Sequence, residues 1–188
     1  MTSIPPIPLG ASLRRWRIVN RTKQSALAAY FDVSQGTVAR WEAGEIAPSG
    51  KHGARLRALL TARPNAASDR TLVGLIESSV IPCHLICDVT HRLLAASPSR
   101  AAQWRISADE LTGRTLWRFA TEDIVTAEAG LGDAGWFDDS PPAVTVETQR
   151  RAYAELTIEA GRLQYVRFPL SDGTHARLVS DVQAINPA

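Results

Sequence analysis

The chain has 188 residues, 45% of them hydrophobic and 21% charged, the composition of a globular protein long enough for one large domain or two small ones. It has no apolar run near the ~18 residues of a membrane span, no basic-then-apolar leader, and only two cysteines. These features exclude a membrane-spanning helix bundle and a disulfide-stapled secreted scaffold, and a cytoplasmic protein is expected.

The net charge of +2 hides a division. Residues 1–64 carry ten Lys and Arg against Asp32, Glu42 and Glu45, whereas residues 65–188 carry eleven basic and sixteen acidic side chains. One half is suited to a polyanion and the other is not.

After a Pro-rich lead ("IPPIPLG"), Leu13, Trp16 and Arg17 recur at helical spacing, which predicts a helix over 11–19. A second is expected over 23–31, with Thr22 as N-cap and Leu27, Tyr30 and Phe31 inward. Asp32 and Val33 turn the chain, Ser34 is placed to cap a third helix over 35–43, and Gly44 to end it. Pro48 bars continuation, and Leu56, Leu59 and Leu60 mark a fourth helix over 51–60. "TARPNAASD", residues 61–69, is polar and broken by Pro64, so a linker is expected at 63–70 between a domain at 1–62 and another at 71–188.

A tight helix-turn-helix in a basic domain points to DNA, because a helix fits the major groove and its exposed side chains reach base edges there. The stretch from Leu9 to about residue 60 resembles the Cro-and-phage-repressor, or XRE-type, helix-turn-helix family. The resemblance rests on Leu13, Gln24, Leu27-Ala28, Val33-Ser34, Thr37-Val38, Arg40-Trp41-Glu42, Gly44 and Pro48. It implies that Gln24 touches a phosphate and braces the third helix. It also implies that Gln35, Gly36, Thr37 and Arg40 lie where bases are read, with Arg40 suited to guanine and Gln35 to adenine. Ser34, Lys23 and Lys51 complete the expected DNA-binding set. Arg17 and Glu42 match a family ion pair between the first and third helices. Asp32 stands where the family usually has Gly, a position Asp can fill in the left-handed region. Gly36 removes a side chain from a reading position, leaving fewer base contacts or more reading of DNA shape.

Beyond the linker, "RTLVGLIESSV" predicts a helix with Leu72, Val73, Leu75, Ile76 and Val80 in an apolar stripe, to pair between protomers or dock on its own sheet. Strands are expected over 83–88, 92–97, 143–149, 153–159, 162–169 and 174–182, with short helices over 98–128. The fold class is thus an all-α domain of four or five short helices followed by an α+β domain with an antiparallel sheet. The run from Leu85 to Asp123, and "ADELTGRTLW" (108–117) above all, resembles the start of a PAS domain, a likeness that extends over about 70–182. It implies a five-stranded sheet and a role in sensing or dimerisation.

"IPCHLICDVTH" gathers Cys83, His84, Cys87 and His91, which resembles a metal set. On a strand, however, Cys83 and Cys87 share a face with Leu85 and Val89, while His84 projects oppositely with Ile86 and Asp88. Four ligands do not converge from two faces, and Cys83 and His84 cannot form a nucleophilic dyad. His175 follows a turn glycine and is expected at the surface. No cofactor, metal or catalytic site is expected. The reading is a homodimeric transcriptional regulator that binds double-stranded DNA. Alternatives are a ligand-sensing repressor, an adaptor that recruits RNA polymerase or a partner regulator, and an antitoxin-type repressor.

Overall fold

The computed structural model describes residues 9–182, so most of the Pro-rich lead lies outside it. Four short helices open the fold: α1 (Leu9–Val19), α2 (Gln24–Phe31), α3 (Gln35–Glu42) and α4 (Gly50–Leu59). Their inward residues are those the helical spacing selects. Leu13, Leu27, Phe31, Val38, Trp41 and Leu56 are all buried, and the Phe31 and Trp41 rings meet edge to face at 5.6 Å. Thr22 is not the cap of α2. Lys23 holds that position and supplies no side-chain cap, while the Thr22 hydroxyl donates to the Asn20 carbonyl instead.

Residues 60–66 carry no helix or strand, but they are not detached. Ala62 is buried, and its N–H points at the Cys87 sulfur at 3.3 Å. Helix α5 (Ala67–Glu77) begins within the expected linker. Its Asp69 carboxylate accepts from the Ser171 hydroxyl at 2.6 Å and from the Ser171 N–H at 3.2 Å, which ties the helix to the far end of the chain.

The second half is α+β. Strands β1 (Cys83–Cys87), β2 (Leu93–Ala96), β3 (Val144–Thr148), β6 (Gly161–Pro169) and β7 (His175–Asp181) form a five-stranded antiparallel sheet in the order β2-β1-β7-β6-β3. Between β2 and β3 run α6 (Pro98–Ala101), α7 (Ala108–Leu111), a 3-10 turn (Leu116–Phe119) and α8 (Glu122–Gly130). Ser97, Ser107, Thr115 and Thr121 cap them in turn, Ser107 with Glu110 in a reciprocal capping box. The single strand expected over 153–159 is instead two short strands, β4 (Arg151–Ala152) and β5 (Thr157–Ile158), paired with each other outside the main sheet. The Tyr153 N–H bonds back to the Leu156 carbonyl at 2.8 Å and folds the segment on itself, which turns Leu156 into the core.

Alternation along β1 decides what each face of the sheet meets. Cys83, Leu85 and Cys87 pack in one cluster with Leu13, Phe31, Leu56 and Ile76, so this face lies against the helices. Ile86 belongs to the opposite cluster with Leu93, Phe119, Trp136, Tyr165 and Val179. Both cysteines are free and buried. Among the described residues, no group of three or more His, Cys, Asp or Glu is gathered in a way that could hold a metal ion, and no helix is long and apolar enough to cross a membrane.

His175 is not at the surface. The turn before it is covered by α1: a Cβ on Gly173 would lie 2.9 Å from the Trp16 Cα, and Asn20 donates to the Asp172 carbonyl at 2.7 Å. Burial, assisted by the charge of Arg167, holds the His175 pKa down at about 3, and burial with Arg100 nearby holds His84 well below 6.5. Both rings are neutral in the fold but take protons when it opens. The stability they contribute is complete above about pH 6.5 and drains away as the pH falls below it, for His175 toward about 3, by up to roughly 1.4 kcal/mol per pH unit for each ring. Urea midpoints should therefore drop steadily between pH 7 and 4.5, and less steeply in His175→Gln. A flat profile would contradict the buried, neutral state.

Candidate nucleic-acid interface

The turn between α2 and α3 sets the geometry. Asp32 adopts a left-handed conformation (φ 57°, ψ 53°), and its N–H closes onto the carbonyls at the end of α2. The Val33 N–H bonds to the Ala28 carbonyl at 3.0 Å, which completes the reversal in three residues. Ser34 then caps α3: its Oγ accepts from the Thr37 N–H at 3.1 Å and lies 2.9 Å from the Thr37 hydroxyl. These two hydroxyls are engaged with each other, so Ser34 serves the start of the helix first.

Helix α3 is anchored by its inner face, where Val38 and Trp41 are buried, and by an ion pair at its end. Arg17 of α1 binds Glu42 through two bonds, Nε to Oε1 at 2.6 Å and Nη2 to Oε2 at 2.9 Å. The Gln24 amide donates to Glu42 Oε2 at 3.0 Å. Burial pushes the Glu42 pKa up, but the bonds from Arg17 and Gln24 outweigh it, and the carboxylate stays below its ordinary range. One carboxylate thus fixes α1, α2 and α3 together. Gln24 performs the bracing half of its expected role.

The outer face is what remains. Gln35, Gly36 and Arg40 are exposed on α3, and Thr37 is half-buried. A Cβ at Gly36 would meet only the Ser34 Oγ, at 3.8 Å, so the position is open rather than crowded. Lys23 is exposed at the start of α2 and Lys51 in the first turn of α4. Arg55 lies over the Tyr30 ring at 4.7 Å and donates to the Tyr30 carbonyl, so this cation is held in place. The sheet half meets α1 through Ser12, Trp16 and Asn20, which leaves the exposed residues of α3 uncovered.

Residue patterns along the chain did not reveal the charged centre behind this arrangement. Arg167 and Arg177 stand directly opposite each other on β6 and β7, both buried. Two like charges at such a pair repel, and Asp88 sits between them. It accepts from Arg167 Nε at 2.8 Å, from Arg177 Nη2 at 2.7 Å and Nε at 3.0 Å, and from the Trp136 indole at 3.1 Å. Glu128 takes the remaining arm of Arg177, at 2.6 Å, and binds the His91 ring at 2.8 Å. Arg167 Nη2 reaches across the halves to the Ser12 hydroxyl of α1 at 3.1 Å.

A family model described as Helix-turn-helix matches residues 13–60, about a quarter of the chain. No curated protein matches the chain. The tight turn at Asp32 and the capped and braced α3 lie within the matched residues. Residues 13–60 form a helix-turn-helix domain of the Cro-and-phage-repressor, or XRE, type, followed by an α+β domain with a five-stranded antiparallel sheet.

Proposed function

We propose that this protein is a sequence-specific, DNA-binding transcriptional regulator that lays α3 in the major groove and acts as a homodimer. The observation that carries the reading is the exposed row of Gln35, Gly36 and Arg40 on a helix fixed from behind by Val38, Trp41 and Glu42. Arg40 pairs with a guanine and Gln35 with an adenine, Gly36 and Thr37 occupy the other reading positions, Lys23, Gln24 and Lys51 meet the backbone or its flanks, and Ser34 presents the helix start.

The sheet domain is read as PAS-like. Support comes from its five antiparallel strands, from the short helices gathered between the second and third of them, and from "ADELTGRTLW" supplying α7 and the first half of the 3-10 turn that follows it. Pairing of two copies is supported by an apolar surface at the end of α5, where Leu75 is 63%, Val80 89% and Ile81 43% exposed. A two-fold dimer reads two half-sites and gains affinity from both.

Selection of bound DNA fragments with the purified protein should return a two-fold repeat. Arg40→Ala should lower affinity for that site by about 1–3 kcal/mol at fixed salt with an unchanged melting curve, whereas Lys51→Ala should weaken all sequences and flatten the salt dependence. Full affinity in Arg40→Ala would remove α3 from the groove.

A further inference from the structure

The outer face of the sheet encloses a cavity of about 250 Å³ that has no part in the helix-turn-helix. Ile86, Leu163 and Tyr165 line it from the strands, and Trp104, Trp117 and Phe119 from the crossing segments. Three of its lining residues each carry a buried polar atom without a hydrogen-bond partner: His84 Nδ1, His91 Nδ1 and Arg100 Nε. Each such orphan costs about 1–3 kcal/mol, and three around one space are a considerable burden for a domain of this size.

The chemistry of the wall selects an occupant. The buried and half-buried cations of its wall are already matched: Arg100 is paired with Asp181 at 2.5 Å, and Arg177 with Asp88 and Glu128, while Arg162, the remaining lining cation, is exposed to solvent. A charged ligand would therefore be buried without a counter-charge, which is strongly unfavourable. The aromatic walls favour a flat ring system, and the polar lining residues His84, His91, Arg100 and Thr148 suit a carbonyl, phenolic oxygen or ring nitrogen on it.

A line of bonds leads from this wall to the DNA-binding half. Arg177, on the wall, holds Asp88; Asp88 holds Arg167; and Arg167 holds Ser12 on α1. Five residues along the same helix, Arg17 grips Glu42 at the end of α3.

We propose that the cavity binds a neutral, flat, one- or two-ring molecule bearing a hydrogen-bonding group, and that its occupancy reaches α3 through Arg177, Asp88, Arg167 and Ser12. The second half of this statement rests on the DNA-binding reading; the first does not. Because coupling is reciprocal, bound DNA changes affinity for the ring compound by the same factor that the compound changes affinity for DNA.

The test uses the full chain with indole, coumarin and 2-naphthol as probes, 2-naphthoate as the charged control and dodecanoate as the aliphatic one. The neutral ring compounds should raise the melting temperature and bind one per chain by calorimetry, the two acids should not, and His84→Leu should weaken binding at least 5-fold. If none of the neutral probes stabilises the protein at millimolar concentration, or if the acids bind as well, the cavity assignment is overturned. For the coupling, the tightest probe should change affinity for the selected DNA about 5-fold or more and slow hydrogen exchange in α1. In Ser12→Ala the probe should bind as before with both effects lost. Persistence of either effect in that variant overturns the route, and the exchange readout stands even if the protein fails to bind DNA.

Discussion

Asp88→Asn should lower stability by about 3–5 kcal/mol, a loss large enough to unfold a marginal domain. The side chain is 1% exposed and takes four hydrogen bonds from Arg167, Arg177 and Trp136. Asparagine keeps the shape and some of the acceptors but removes the charge, leaving Arg167 and Arg177 opposed across β6 and β7 with only Glu128 to offset them. The pH dependence identifies the cause. Burial raises the Asp88 pKa, but the two guanidinium charges outweigh it and hold the carboxyl at about 2. Its contribution is therefore complete above the unfolded value near 4 and disappears as the pH falls through 2. Urea denaturation at pH 7 should give the full difference from the unsubstituted protein, and the two should converge toward pH 2. The double variant Asp88→Asn/Arg167→Met should recover part of the loss, because it leaves Arg177 with Glu128 as a matched pair. A difference below 1 kcal/mol at pH 7 would mean that water reaches this centre.

How legible each part was in the sequence follows the range of the interactions that build it. The helix-turn-helix was nearly all readable, because its determinants lie within a few residues of one another: Ser34 capping Thr37, Asp32 in the left-handed turn, and Val38 and Trp41 on one face of α3. Arg17 and Glu42 are 25 residues apart, and it was the family likeness that joined them. Thr22 misled because Thr is a good cap by type, yet the turn of Asn20 and Arg21, the latter at φ 50°, carries its hydroxyl away from α2. The break at 153–156 has no Gly or Pro to mark it. His175 seemed exposed because a turn glycine precedes it, but α1 from the other end of the chain covers that turn. The buried centre joins Asp88 to residues 79 and 89 positions away, beyond any local pattern. One signal was present nonetheless. Alternation puts Arg167 on the same side of its strand as the buried Tyr165, and Arg177 on the side of the buried Val179, so two charges faced a core that had to neutralise them.

Gly10→Ala should cost about 3 kcal/mol and carry the DNA affinity down with it, although alanine is the better helix former. Gly10 is buried within α1, and a Cβ there would lie 2.0 Å from the Trp41 carbonyl oxygen and 3.0 Å from its carbon. Both are backbone atoms, so no side-chain rotation relieves the clash, and α1 and α3 have to separate. The displaced residues are the ones that present the reading face: Trp41 anchors α3, and the neighbouring Glu42 binds Arg17 and Gln24. Gly74 gives the opposite result from the same chemical change. It lies in α5, where an added Cβ meets nothing within 4 Å, and Gly74→Ala should stabilise by about 0.5–1 kcal/mol through reduced freedom of the unfolded chain. Urea denaturation of the two variants beside the unsubstituted protein measures both signs, and binding to the selected DNA fragment separates them again, with Gly74→Ala unchanged. Were Gly10→Ala as stable as the parent, the close approach of α1 to α3 would be wrong, and with it the reason α1 holds a glycine that helix propensity disfavours.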